Sequence, residues 1–270
     1  GRWSTHSYLS KSIVCEFFAV KAETLGIQAT GWQKDRFEPT SELSEAVWLQ
    51  GDVMLNKWVL GEVTFAPPTL AICRALADKY PLQEAQQRNA QLHIVNQVTP
   101  NIQLIALRTP TLPPATHTNT YLLGEKTFYL IDPGSRNPTE LKTLFSLIDQ
   151  RCSNGDQFIG VILTHHHQDH VGGLGAVKER YQIPIHAHIL TAELLNLKDS
   201  MPLAEGNILR WKTYIDGVDY TEVWHTPGHA PGHICLIHPP TESAIVGDMV
   251  AGVGTIVIDP DDGDMATYLE

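Results

Sequence analysis

A chain of 270 residues with 43% hydrophobic side chains is long enough for one large α/β core or two smaller ones. Its 19 basic and 30 acidic residues give a net charge of −11, which excludes a general electrostatic grip on nucleic acid. The chain has no apolar span of about 20 residues and no basic leader followed by an apolar stretch, so neither a membrane helix nor a signal peptide is expected. The cysteines, at positions 15, 73, 152 and 235, form no Cys-x-x-Cys pair, which excludes a zinc ribbon or dithiol motif and suits a cytoplasmic location.

In chain order, residues 13–20 read as a strand and residues 44–50, around Trp48, as another short element. Pro67-Pro68 followed by apolar residues at helical spacing predicts a packed helix over 67–77. Tyr80-Pro81 closes a helix and a Gln-rich polar stretch follows, so the expected organisation is a segment 1–82, a linker 83–100 and a domain 101–270. Residues 102–107, 121–123 and 128–131 read as β, and Asn137-Pro138 caps a helix reaching Gln150. The continuous apolar run Phe158-Ile159-Gly160-Val161-Ile162-Leu163 predicts a strand buried on both faces. After the glycines at 172, 173 and 175 comes a helical stretch 176–181, then a strand over 183–188 expected to be exposed on one face, then a helix over 189–197. Strands near 223, over 234–237 and over 244–246 follow, and residues 265–270 open a helix.

The chemistry is concentrated in His165-His166-His167-Gln168-Asp169-His170, directly after the buried strand. Zinc and similar ions take neutral imidazole nitrogen and carboxylate oxygen, and catalytic sites leave a position open for water. In extended backbone, residues two apart share a side, so His165 and His167 are expected to converge on one ion, with Asp169 and His170 facing a second. Downstream, Trp224-His225-Thr226-Pro227-Gly228-His229-Ala230-Pro231-Gly232-His233 offers a further ligand among turn-forming residues. Gly247-Asp248 then ends an apolar strand in a carboxylate suited to bridging two cations. His225 is expected to hydrogen-bond within the fold, His233 is open between a structural and a cleft-lining role, and His186 and His188 read as strand residues without metal. His6, His93, His117 and His238 carry no readable signal.

The order Thr-His-x-His-x-Asp-His-x-Gly-Gly, then Thr-Pro-Gly-His, then Gly-Asp resembles the metallo-β-lactamase superfamily of hydrolases, from about residue 101 to the last residue. Thr118 to Leu123 and Tyr129 to Gly134 resemble its opening strands. The resemblance implies an αβ/βα sandwich and two Zn2+ ions, with iron or manganese as alternatives. His165, His167 and His229 would hold the first ion, Asp169 and His170 the second, and Asp248 both. Asp169 would also orient the attacking water and accept its proton, and Asp132 would support the metal loop. Binuclear members carry a further histidine in a Gly-His-Gly context, absent before Glu270, so the domain is expected to be C-terminally incomplete.

More weakly, Glu42 through Trp48-Leu49 to Gly61 and Pro67-Pro68-Thr69 resembles the closing half of a Nudix domain, without that family's catalytic helix. The expected fold is therefore α/β, a metallo-β-lactamase sandwich preceded by a small partial Nudix-like segment. The resemblance implies a metal-bridging hydroxide that cleaves an ester, thioester or phosphodiester. Its substrate is either a small-molecule ester or thioester, as in the glyoxalase II-like branch, or single-stranded RNA, as in the β-lactamase-like endoribonucleases, whose text runs closer here. An iron-binding redox or sensor protein, or a non-catalytic binding module on the same fold, stays open.

Overall fold

The structure, a computed structural model, describes residues 95–270 except 216 and 253, together with residues 2–4, 14–16, 53–55, 57 and 73. The chain separates into two compact units, Gly1–His93 and Ile94–Glu270. In the first, strand β1 (Arg2–Ser4) pairs antiparallel with β2 (Val14–Glu16), Trp3 lying opposite Cys15. Residue 73 is helical and buried, inside the stretch expected to be a helix. The expected element at 44–50, the helix end at 80–81 and the residues that carry the Nudix-like pattern lie outside the described residues.

The second unit contains two sheets. The larger has the strand order β3 (Val95–Thr99), β4 (Ile102–Arg108), β5 (His117–Gly124), β6 (Thr127–Ile131), β7 (Gln157–Leu163), β8 (Ile185–His188) and β9 (Met201–Leu203). Pairing is antiparallel from β3 to β6 and parallel from β6 to β9. β3 falls in the stretch expected to be a linker. The smaller sheet runs β10 (Ile208–Lys212), β11 (Val218–His225), β12 (Ile234–His238) and β13 (Ser243–Ile245), antiparallel throughout.

The helices follow local signals. Asn137 caps α1 (Pro138–Ser153), its Oδ1 accepting from Thr139 N at 2.8 Å, with proline at the start of the helix. α2 (Gln168–Val171) is one turn long, α3 spans Leu174–Tyr181, α4 spans Ile189–Leu194 and α5 spans Met265–Tyr268.

Side-chain alternation divides the apolar residues between two cores. From β6 and β7, Phe128, Leu130, Val161 and Leu163 point to one side of the large sheet. There they pack with Leu144 and Ile148 of α1 and with Leu174 and Val177 of α3. Tyr129, Ile131 and Ile162 point to the other side, against Leu209, Trp211, Val223, Ile234 and Leu236 of the smaller sheet. β6 and β7 are thus apolar on both faces because both faces are covered, which is the reason for their unbroken hydrophobic text. This layering of helices on a mixed sheet, stacked on a second sheet, is the metallo-β-lactamase sandwich expected from the sequence.

Two expectations are corrected. The strand expected to be exposed on one face is β8, in which Ile185, Ala187 and His188 are buried and His186 is partly so. It lies between β7 and β9, and His186 packs edge-on against Tyr129 with ring centres 5.7 Å apart. The helix after it stops at Leu194, three residues short of the expected end, and turns at Asn196 with a positive φ of 54°.

Candidate metal centre

The carboxyl ends of β6, β7 and β13, and the loop after β11, deliver Asp132, the run 165–170, Asp248 and His229 to one edge of the sandwich. A hydrogen bond from Ile234 N to Thr164 O (2.9 Å) joins the start of β12 to the end of β7, so the two sheets meet at the site. Asp132 sits in a left-handed turn (φ 49°) with its N–H on Ile162 O at 3.1 Å. Its carboxylate receives Thr164 N at 2.8 Å, Thr164 Oγ1 at 2.6 Å and His170 Nδ1 at 2.8 Å.

Among the described residues, four groupings of donor atoms within 4.8 Å of one another result. His165, His167, His229 and Asp248 form one, and Asp169, His170 and Asp248 another. Asp132 with His165 and His170 makes a third, and His166, His167 and Asp262 a fourth. All six residues expected as ligands are therefore brought together, and Asp248 belongs to both principal groupings.

The partners of each ring decide which nitrogen has a free lone pair. His170 Nδ1 donates to Asp132, which leaves Nε2 facing Asp248 Oδ1 at 3.1 Å and Asp169 Oδ2 at 3.9 Å. Thr164 Oγ1 gives its hydrogen to Asp132, so at 3.0 Å it accepts from His165 Nδ1, and His165 Nε2 is buried with no hydrogen-bond partner. His229 Nδ1 lies 3.0 Å from Val257 O, a carbonyl that only accepts, which turns His229 Nε2 toward His167 Nδ1 at 2.9 Å and Asp248 Oδ2 at 3.5 Å. Lone pairs directed at one another across this distance suit a shared cation, and the set of imidazoles and carboxylates suits a divalent metal.

Electrostatics agree with that reading for the first grouping and set a proton against it at His170. Burial, then the charges of His170, His233 and the other neighbouring imidazoles, hold His165 well below the ordinary histidine range, in the neutral state a metal requires. Burial lowers His229 too, against the pull of Asp248. At His170 burial alone would lower the value, but the hydrogen bonds and charges of Asp132 and Asp248 outweigh it and push it up to about 10. Without metal, His170 thus carries a proton where the second grouping directs its donors. Asp248 is raised by burial yet ends below the ordinary carboxylate range because of His170, His229 and His233.

The surroundings of the site settle the roles of several further residues, of which Thr118 and Gly247 had no such role in the sequence reading. His233, fully buried, binds Thr226 Oγ1 through Nδ1 at 2.8 Å and accepts Asp248 N through Nε2 at 3.2 Å, so it positions the shared carboxylate and does not line a cleft. Gly247 turns the chain with φ 47°, and a side chain there would meet His233 Nε2. Thr118 Oγ1 donates to Asp169 Oδ2 at 3.2 Å. His225 bonds Pro231 O at 3.0 Å, as expected, and stacks on His188 with ring centres 4.1 Å apart. His238, which carried no signal, is buried against Asp219 (3.0 Å) and Asn101 (3.0 Å) at the far end of the smaller sheet.

With this geometry in hand, residues 113–270 match the family model described as the Metallo-beta-lactamase superfamily. The chain belongs to this superfamily. An atrochrysone carboxyl ACP thioesterase of Aspergillus novofumigatus is 30% identical over 183 residues, covering 66% of this chain and 52% of its own length. A hydroxyacylglutathione hydrolase of Bdellovibrio bacteriovorus is 30% identical over 124 residues, covering 46% of this chain and 44% of its own. The chain therefore spans about half the length of these curated relatives. Among solved structures, a beta-lactamase domain protein from Burkholderia ambifaria aligns with a TM-score of 0.53 at 20% identity, over 65% of this chain and 64% of that one, a likeness of fold. No helix among the described residues is long and apolar enough to cross a membrane.

Proposed function

We propose that this metallo-β-lactamase-fold chain is a metal-dependent hydrolase of a small-molecule ester or thioester. His165, His167 and His229 would hold one ion and Asp169 and His170 a second, with Asp248 available to both. The observation that carries the reading is the convergence of His165 Nε2, buried with no hydrogen-bond partner, and His170 Nε2, 3.1 Å from Asp248 Oδ1, each ring held by a hydrogen bond on its opposite nitrogen. Two divalent ions there, with zinc the first choice for these donors, would supply positive charge for a developing oxyanion and acidify water to a pKa of roughly 7.

The chain's own residues do the rest. Asp132 and Thr164 accept the Nδ1 hydrogens of His170 and His165, which turns Nε2 of each ring inward. His233 fixes the backbone of Asp248. Asp169, held by Thr118, has one carboxylate oxygen free to orient the attacking water and accept its proton. A thioester is favoured over single-stranded RNA because a hydroxyacylglutathione is itself a thioester, the other relative is named a thioesterase, and the net charge of −11 offers little to a polyanion.

The test is metal content together with hydrolysis of acyl-thioester, carboxylic ester and phosphodiester substrates, with Asp169→Ala alongside. Thioester turnover falling by two or more orders of magnitude is expected in the variant, as for loss of a positioned general base, about 10²–10⁴-fold. Undiminished turnover would overturn the proposal.

A further inference from the structure

The segment that follows the shared carboxylate lies beside two expected ligands of the first ion. Val257 O bonds His229 Nδ1 at 3.0 Å, and Asp262 Oδ2 lies 2.7 Å from His167 Nε2. Backbone bonds build the turn that presents Asp262. Asp262 N and Gly263 N both donate to Asp259 O, at 3.1 and 2.6 Å, and Asp264 N donates to Gly228 O at 2.8 Å, in the residue before His229. Tyr268 Oη, on α5, donates to Met249 O at 2.7 Å, one residue after Asp248. The turn and the helix after it are thus tied to the residue before the third histidine and the residue after the shared carboxylate.

We propose that Asp262 is a positioning residue for the first ion. Its carboxylate, an acceptor only when ionised, takes the Nε2 hydrogen of His167 and commits Nδ1 of that ring to the ion. That nitrogen lies 2.9 Å from His229 Nε2, inside the first donor grouping. Asp262 does for His167 what Asp132 does for His170 and the Val257 carbonyl does for His229. The proposal rests on the two-ion reading above. His166 Nε2 also lies 3.3 Å from Asp262 Oδ2, and these three side chains form one of the candidate donor groupings. Direct ligation there is disfavoured because His167 would have to give up both ring nitrogens to ions.

Titration of the metal-free protein with Zn2+ against a chromophoric chelator separates the cases, with stoichiometry and both affinities read together. Asp262→Ala is expected to weaken the first ion about 10–100-fold while leaving the second ion and the metal-free melting temperature unchanged. Asp262→Asn, which keeps an oxygen acceptor, should recover part of the loss. The exposed neighbour Asp261 serves as control in Asp261→Ala. Wild-type affinity for both ions in Asp262→Ala overturns the positioning role. So does a third equivalent of zinc that vanishes in that variant, which would make Asp262 a ligand. Failure of the unaltered protein to bind any zinc overturns the two-ion reading itself, and this proposal with it.

Discussion

Replacing Asp132 by asparagine tests the logic of the site with minimal change in shape. The Asp132 carboxylate accepts three hydrogen bonds, from Thr164 N, Thr164 Oγ1 and His170 Nδ1, at 2.6 to 2.8 Å. In Asp132→Asn the amide oxygen can keep the bond from Thr164 N, but an NH2 group then faces two donors. The Thr164 hydroxyl can rotate. His170 can satisfy the amide only by accepting at Nδ1, which moves its hydrogen to Nε2, the nitrogen that would face the proposed second ion. One charge-assisted bond is lost, worth about 1.5–3 kcal/mol of stability. Affinity for the second ion should fall about 10–100-fold, as for other supporting carboxylates of metal-bound histidines. The first ion should weaken less, because Thr164 still reaches His165. Chemical denaturation gives the stability change, chelator competition the two affinities, and ring nitrogen shifts of His170 the tautomer. If the Asp132→Asn variant keeps Nδ1–H on His170 and binds both ions as tightly as the unaltered protein, the reasoning is refuted.

Other outcomes follow from the same structure. Burial first, then the charges of His229 and His170, lower the His233 pKa to about 3, well below its unfolded value. The neutral ring's contribution is therefore complete above about pH 6.5 and lost as pH falls toward 3, on the order of 4–5 kcal/mol at full protonation. The His170 value is raised to about 10, so its contribution in the metal-free protein is complete below about pH 6.5 and lost as pH rises through 10. Denaturation of the metal-free protein should thus show greatest stability near neutrality, and a flat profile from pH 4 to 10 would contradict both assignments. Because the second ion must displace the His170 proton, its affinity should rise with pH up to about 10, and a pH-independent affinity in chelator competition would count against that proton. Gly228 has φ 129°, and a Cβ there would collide with the Tyr268 backbone. Gly228→Ala should therefore cost about 1–3 kcal/mol or more and loosen the His229 loop, to be read by thermal unfolding and zinc affinity together. In the core, Leu130→Ala empties a fully buried position and should cost about 2–5 kcal/mol in denaturant unfolding, with the zinc stoichiometry retained.

What the sequence by itself determined was whatever local chemistry dictates. The unbroken apolar text of 158–163 meant a strand covered on both faces, Asn137-Pro138 meant a helix start, and the histidines and carboxylates after the strand meant metal. The strands at 95–99, 201–203 and 208–212 went unread. The second is only three residues long, and the alternation of buried Leu209 and Trp211 with exposed neighbours has meaning only against the large sheet it covers. The two-residue spacing of His186 and His188 suggested an exposed face, and the rings packed on it, Tyr129 against His186 and His225 against His188, decided otherwise. Tertiary structure alone chose the nitrogen each histidine presents. The acceptors that choose it come from residues distant in the chain, Asp132 for His170, Val257 for His229 and Asp262 for His167. A sequence motif names the rings, but a tautomer is fixed by the partner on the ring's other side, and only folding brings that partner within hydrogen-bond reach.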